Sequence, residues 1–279
     1  MSNNIFLKRG QMADKPNNTL WNGDCLELMQ DIPDKSMDAI ICDLPYGTTA
    51  CKWDSVIPFE PLWEQYKRII KDNGAIVLFG SEPFSSALRM SNIKNYKYDW
   101  IWNKIQGAGM TISKIQPMKS HEIISVFGLG KINYYPIMVK RDKELNTKGW
   151  KMSKLNSENG NFSSKSVKET QKIYKEKYPT TILEYHKSAK ECNNTKRIHP
   201  TQKPLDLINY LVNTYTKEND WVLDNTCGSN TTGIACYDLN RNYIGIEKDI
   251  DIYNVAKKRM EKNILLRANE QKGLFDELK

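Results

Sequence analysis

Short, strongly apolar runs separated by stretches of helix length constrain this chain more than any other feature. Residues 37–42 (MDAIIC) and 74–80 (GAIVLFG) are continuously apolar rather than alternating, as strands buried on both faces are. Residues 19–22, 98–102, 122–127, 221–224 and 243–247 read as further strands. Helical spacing fits residues 25–31, 59–71, 82–90, 205–216, 231–239 and 252–266; in the second of these Leu62, Tyr66, Ile69 and Ile70 share one side. The alternation predicts an α/β fold, a parallel sheet with helices on both faces. A length of 279 residues, 39% of them apolar, suffices for one such domain with a smaller insert. No apolar run reaches the roughly 18 residues that cross a membrane, so no membrane association is expected. Residues 1–18 are polar, lack an apolar signal core and read as a flexible arm.

Charge divides the chain differently. The formal net charge is +8, yet residues 131–197 hold sixteen Lys and Arg against seven Asp and Glu, which leaves the remainder close to neutral. In this segment periodicity fades, Lys, Asn and Ser dominate, and Tyr134, Tyr135, Trp150, Phe162, Tyr174, Tyr178 and Tyr185 are interleaved; some helix is expected near residues 166–177. A localised positive field is what a polyphosphate partner requires, although a merely solvated lysine surface has the same composition. The six cysteines, Cys25, Cys42, Cys51, Cys192, Cys227 and Cys236, form no CxxC pair, and His121, His186 and His199 lie at no ligand spacing, so neither a metal site nor a disulfide framework is expected.

Three clusters carry chemistry. Asp43-Leu44-Pro45-Tyr46-Gly47 follows a buried strand directly, and ligands of open α/β sheets bind beyond the carboxyl ends of strands. A carboxylate, a backbone carbonyl and an aromatic ring there can clamp a planar amine. An exocyclic base nitrogen is a poor nucleophile because its lone pair is delocalised into the ring. Two acceptors on its N–H groups make it more tetrahedral and free the lone pair, while Tyr46 stacks on the ring. A turn ending a strand with an incidental aspartate is the alternative. The second cluster, residues 224–231 (DNTCGSNT), is a glycine-containing strand-to-helix turn, with Glu247 at the end of the next strand, an offset suited to ribose hydroxyls. The third, residues 199–204 (HPTQKP), offers Thr201, Gln202 and Lys203 on a proline-stiffened segment suited to a ligand carboxylate, or is simply a rigid junction.

In type and order these clusters resemble the amino-methyltransferases of DNA, in the permuted group whose catalytic motif precedes its cofactor motif. The likeness runs from Thr19 to about Leu266. DLPY is similar to the family's D-P-P-Y, DNTCGSN to its cofactor loop, HPTQKP to the segment introducing the cofactor half, and Asn22-Gly23-Asp24-Cys25 to its N-G-D-C, whose acidic residue lies near the cofactor adenine. Trp53-Asp54 and Trp102-Asn103-Lys104 fit more loosely, the latter near the pocket for the target base. The residues alone would make Asp24 a helix N-cap.

The resemblance implies a Rossmann-like, S-adenosylmethionine-dependent sheet in which residues 19–130 are the catalytic half, 131–198 a basic target-recognition insert and 199–279 the cofactor half. Asp43, Leu44, Pro45 and Tyr46 would be catalytic. Asp24, Cys25, Thr201, Lys203, Asp224, Thr226, Gly228, Asn230 and Glu247 would hold the cofactor. Lys140, Arg141, Lys151, Lys154, Lys196 and Arg197 would contact duplex DNA. An aspartate leading the clamp favours N6 of a flipped-out adenine, with N4 of cytosine as the alternative. A cytoplasmic protein of a prokaryote or phage, monomeric or homodimeric, is implied, and a cognate restriction endonuclease is an allowed partner. Two departures stand out. Leu44 replaces a proline where only the backbone carbonyl matters, and Asn230 replaces a glycine, bringing a side chain toward the methionine end of the cofactor and leaving open a catalytically weakened DNA-binding relative.

Overall fold

A computed structural model describes residues 18–47, 55–146, 154–155, 162–163, 173–186 and 202–277. The chain forms two compact units, residues 136–180 and the remainder. The larger unit is built on an eight-stranded sheet in the order β1-β12-β11-β2-β3-β5-β4-β10. Its strands are β1 (Asn18–Asn22), β2 (Met37–Asp43), β3 (Ile70–Gly80), β4 (Tyr96–Ala108), β5 (Lys119–Phe127), β10 (Ile182–Glu184), β11 (Trp221–Asp224) and β12 (Asn242–Glu247). Every pairing is parallel except those of β5, which runs antiparallel to both β3 and β4. The sheet is therefore mixed, where an all-parallel one was expected. Only residues 109–118 separate β4 from β5, too few for a crossover helix, so a hairpin is the available connection.

Period-two alternation sorts the buried strands onto two cores. Ile40 and Cys42 of β2 and Ile76 and Leu78 of β3 face one cluster, with Leu62, Trp63, Tyr66 and Ile69 of α2 (Phe59–Ile69) and Leu88 of α3 (Phe84–Ser91). Ala39, Ile41, Ala75, Val77 and Phe79 face the other, with Leu207, Ile208, Leu211 and Tyr215 of α4 (Leu205–Tyr215) and Ala235 and Cys236 of α5 (Thr231–Asp238). Each fully buried aliphatic side chain stabilises the fold by roughly 1.5–3 kcal/mol. The larger unit also contains the single-turn α1 (Cys25–Leu28) and the long α6 (Ile250–Glu277). Helix α2 starts after Pro58, tolerates Pro61 in its first turn, and carries Glu60 at its start and Lys67 and Arg68 at its end, complementing the helix dipole.

The smaller unit contains β6 (Val139–Asn146) antiparallel to β9 (Ile173–Lys177), and a second short pair, β7 (Lys154–Leu155) with β8 (Phe162–Ser163). Two expectations change here. Residues 173–177, read as the end of a helix, are a strand, because pairing with β6 outweighs local helical spacing. The compact unit is also narrower than the 131–198 insert, since β10 joins the main sheet beside β4. At the other end Asn18, read as part of the arm, already belongs to β1.

Candidate active site

Asp43 closes β2 and Asp224 closes β11, and these strands are parallel neighbours, with Val222 opposite Ala39 and Leu223 opposite Ile40. Parallel neighbours end on the same side of a sheet, so the loops that follow them meet. The Thr226 hydroxyl donates to the Asp43 carbonyl at 3.1 Å. Asp43, Leu44, Pro45 and Tyr46 share one cavity of about 620 Å³ with Asp24, Cys25, Asp224, Thr226, Gly228 and Glu247. Two loops separated by 183 positions in sequence thus enclose one space.

The Asp43 carboxylate is engaged on both oxygens. Oδ1 accepts from the Tyr46 hydroxyl at 2.6 Å, and Oδ2 accepts from Lys203 Nζ at 2.5 Å. Tyr46 stacks on Phe84, ring centroids 5.1 Å apart. Lys203 also pairs with Glu122 Oε2 at 3.3 Å, and Glu122 is in turn bonded to Lys104. Burial alone would pull the Lys203 ammonium down in pKa, but Asp43 and Glu122 more than offset it and raise it. Burial likewise pushes Glu122 up, yet Lys203 and Lys104 hold it below its ordinary value. Lys203 and Glu122 therefore stay charged, and with Lys104 and the partly exposed Asp43 they form a row of alternating sign whose pairings offset the cost of desolvation. Lys203, expected to meet a ligand carboxylate, pairs here with two protein carboxylates.

The second loop is held from below and behind. Asn225 Oδ1 accepts from the Tyr66 hydroxyl at 2.6 Å and from Cys42 Sγ at 2.8 Å. Burial raises both of those groups well above their ordinary values, so both remain neutral donors. Asp224 accepts from Thr232 Oγ1 at 2.7 Å and from the Thr226 amide at 3.2 Å. Burial pushes its carboxyl up to about 7, an effect those bonds offset only in part. Glu247 accepts from the Gly228 and Asp249 amides, each at 2.9 Å; burial raises its pKa despite both bonds. Asp24 caps α1 through the Leu26 amide at 2.9 Å and pairs with Lys248 at 3.1 Å. Partial burial works against its ionised form, but Lys248 brings the net pKa below the ordinary value.

Asn230 departs from expectation. Its backbone is left-handed, φ 63° and ψ 41°, directly ahead of α5. The residue is fully buried, is not part of the cavity wall, and neither amide atom has a hydrogen-bond partner. A Cβ on Gly233 would lie 2.2 Å from Asn230 Oδ1 and 2.7 Å from Nδ2. The side chain therefore occupies the space that Gly233 leaves empty and is turned off the cavity, not toward a ligand in it.

Of the basic candidates, Lys140 is exposed on β6 and Arg141 Nε donates to the Glu176 carbonyl at 3.0 Å. Lys154 opens β7. Thr201, Lys151, Lys196 and Arg197 lie outside the described residues. Sequence reasoning missed Glu122 as a member of the site. It is in phase with buried Ile124 and Val126 on β5, and a carboxylate in step with core positions was the available signal.

A sequence model of the DNA methylase family, whose members modify N6 of adenine or N4 of cytosine, matches residues 37–258, well over half of the chain. The chain belongs to that family. This DNA methyltransferase is 28% identical over 267 residues to the type II methyltransferase M.HinfI of Haemophilus influenzae, covering 87% of this chain and 68% of that one. It is 26% identical over 286 residues to the type II methyltransferase M2.MboI of Moraxella bovis, covering 93% of each. Its fold matches the crystal structure of the M1.HpyAVI–SAM complex with TM-score 0.57 and 24% identity, covering 86% of this chain and 98% of that one. It also matches the cytosine-N4-specific PvuII DNA methyltransferase with TM-score 0.59 and 15% identity, covering 90% and 91%. The methyltransferase uses S-adenosylmethionine. One local feature fits that group: Gly228 lines the cavity at φ +51°, and a Cβ there would meet nothing within 4 Å, so the wall offers open backbone.

Proposed function

We propose that this methyltransferase modifies N6 of adenine at specific sites in duplex DNA, on a nucleotide flipped out of the stack. The observation that carries the reading is the closure of the Asp43 loop on the Asp224 loop through the 3.1 Å Thr226–Asp43 bond, which gives methyl donor and acceptor one cavity. When bound, S-adenosylmethionine supplies a methyl group already activated by its sulfonium. On this reading Glu247 and Asp24 hold the adenosine hydroxyls and adenine, and the Gly228 backbone lies against the methionine part. Asp43 and the Leu44 carbonyl accept the N–H groups of the target amine, Tyr46 stacks on its ring, and Lys203 holds the Asp43 carboxyl in orientation. A paired adenine is out of reach within the helix, so flipping is required. The aspartate that leads the clamp favours adenine over cytosine.

The basic insert, with Lys140, Arg141, Lys151, Lys154, Lys196 and Arg197, supplies phosphate contacts and site choice. Names of relatives in restriction–modification systems support a cytoplasmic role beside a cognate endonuclease. Methylation-sensitive sequencing of DNA from cells expressing the chain, with digestion to nucleosides and mass analysis, tests the reading. N6-methyladenine at one sequence motif is expected; N4-methylcytosine would reassign the base. Asp43→Ala should slow transfer by at least about a hundredfold and leave cofactor binding by calorimetry within about twofold of wild type. Undiminished turnover in that variant would remove Asp43 from the mechanism.

A further inference from the structure

Residues 105–118, the end of β4 and the turn that leads into β5, are exposed at every position. They nevertheless carry Ile105, Met110, Ile112, Ile115 and Met118, with Ile115 86% and Met110 72% exposed. One exposed apolar side chain is ordinary; five on a single hairpin mark a surface that meets something. The hairpin is built rather than slack. Gly109, at φ 94°, enters a 3-10 turn over Met110–Ile112, and the Ile112 carbonyl accepts from the Ile115 and Gln116 amides at 2.9 and 3.1 Å. Gly107 lets the returning strand approach, since a Cβ there would sit 2.9 Å from Met118 Cβ.

Its root is distorted. Between the pairs Asn103–His121 and Ala108–Lys119, residues 104–107 of β4 oppose Ser120 alone. Within that bulge Ile105 has φ 67°, a left-handed conformation that a β-branched residue adopts only when its surroundings impose it. Bulges of this kind re-aim side chains beside active sites. Here Lys104 turns in to Glu122, and both feet of the hairpin, Lys104 and Lys119, line the cavity that holds Asp43.

Resting on the reading given under Proposed function, we infer that this hairpin is the wedge that enters the base stack and holds open the gap left by the target nucleotide, with Met110 and Ile115 inserting. Aliphatic side chains of this type unstack base steps in duplexes bent or opened by proteins. The occupant is duplex DNA rather than another apolar surface because of the charge: Lys114 lies on the tip, Lys119 at its foot, and no acidic residue occurs from Lys104 to His121. A cationic, apolar tip at the rim of the transfer cavity matches stacked bases flanked by phosphates.

The test uses duplexes carrying the motif found by sequencing, with the target base either paired or opposite an abasic site. The full-length Met110→Ser/Ile115→Ser variant changes exposed side chains only. Unstacking costs a few kcal/mol per step, so methylation of the paired duplex should slow by roughly 10- to 100-fold. On the abasic duplex, where the target is already loosened, the variant should come within about threefold of wild type. With 2-aminopurine at the target position, the fluorescence rise on binding should be seen for wild type and lost in the variant. Equal slowing on both duplexes, or none on either, overturns the wedge, as does a variant that breaks a dimer in sedimentation and loses activity on both. Wild-type protein that methylates neither duplex would instead defeat the underlying reading.

Discussion

Asn230 and Gly233 form a coupled pair that a double-mutant cycle can measure. The perturbation is Gly233→Ala, made in wild type and in an Asn230→Gly background. In wild type the new methyl group would stand 2.2 Å from Asn230 Oδ1 and 2.7 Å from both Nδ2 and Tyr243 Cε1. Asn230 and Tyr243 are both fully buried, so neither contact relaxes freely. Overpacking of this kind costs typically about 1–3 kcal/mol, and the first contact is severe enough to place wild type near the upper end. Asn230→Gly alone should be close to neutral. It removes two unpaired buried polar atoms, a gain of about 1–3 kcal/mol, and eases a left-handed residue, but it leaves a void and adds about 0.5–1 kcal/mol of unfolded-chain entropy. In the double variant only the Tyr243 contact remains, so Gly233→Ala should cost about 1–2 kcal/mol less than in wild type. Urea denaturation of the four proteins gives the coupling energy, and calorimetry gives cofactor affinity, which Asn230→Gly should change by no more than about twofold. Additivity within about 0.5 kcal/mol would mean that the two side chains do not meet. A large gain in cofactor affinity in the glycine variant would mean that Asn230 faces the ligand after all.

Three further outcomes follow from the site. Asp224 holds its proton up to about 7 in the folded chain against an ordinary 3.8; its contribution to stability is full below that ordinary value and is lost as pH rises through about 7, amounting to about 4 kcal/mol at about 1.4 kcal/mol per pH unit. Asp224→Asn should remove this slope, so denaturation midpoints of variant and wild type should diverge as pH rises from about 4 to about 7, with the variant ahead and the gap constant above that; parallel curves across that range would contradict it. Lys203→Met strips the cation from between Asp43 and Glu122 and should cost about 3–5 kcal/mol of stability and most of the activity, while calorimetry should find cofactor affinity within about threefold; tenfold weaker cofactor binding with stability intact would return Lys203 to the ligand carboxylate. Tyr46→Phe keeps the stacking ring and frees Asp43 Oδ1 of one hydrogen bond worth about 1 kcal/mol, so single-turnover transfer should be undiminished, and a loss of about a hundredfold would give the hydroxyl a direct part in the reaction.

The strand–helix alternation was legible because buried strands such as residues 37–42 and 74–80 declare themselves by composition alone. That the loops after Asp43 and Asp224 share one cavity was legible because each sits next to such a strand end. What escaped depends on partners distant in sequence. The antiparallel course of β5 followed from a linker too short for a helix, a constraint on length that hydrophobicity does not display. Three-residue β10 is hidden in a lysine-rich segment and exists through its pairing with β4. Residues 173–177 are a strand because β6 lies beside them. Lys203 and Asp43 stand 160 positions apart, and a lysine flanked by prolines gives no sign of which carboxylate it will meet.

That pairing bears on how the proposed clamp would work. Before any base arrives, Asp43 is already in an orientation suited to accept from an amine, because two donors hold it there. The ammonium cannot leave with ease, since Glu122 also binds it and little of the lysine side chain is exposed. The Tyr46 hydroxyl can leave, because Tyr46 lines the cavity and a phenol finds other partners there or in water. On the function proposed above, an incoming N–H would exchange with the tyrosine donor at Oδ1 while Lys203 keeps Oδ2. One neutral hydrogen bond is traded for another, at little net cost, and the carboxylate need not reorganise. Fixed acceptors lower a barrier most when they are in place before charge develops. On that proposal the row from Lys104 to Asp43 would serve less to stabilise the fold than to keep one oxygen aimed at the place where the amine stands.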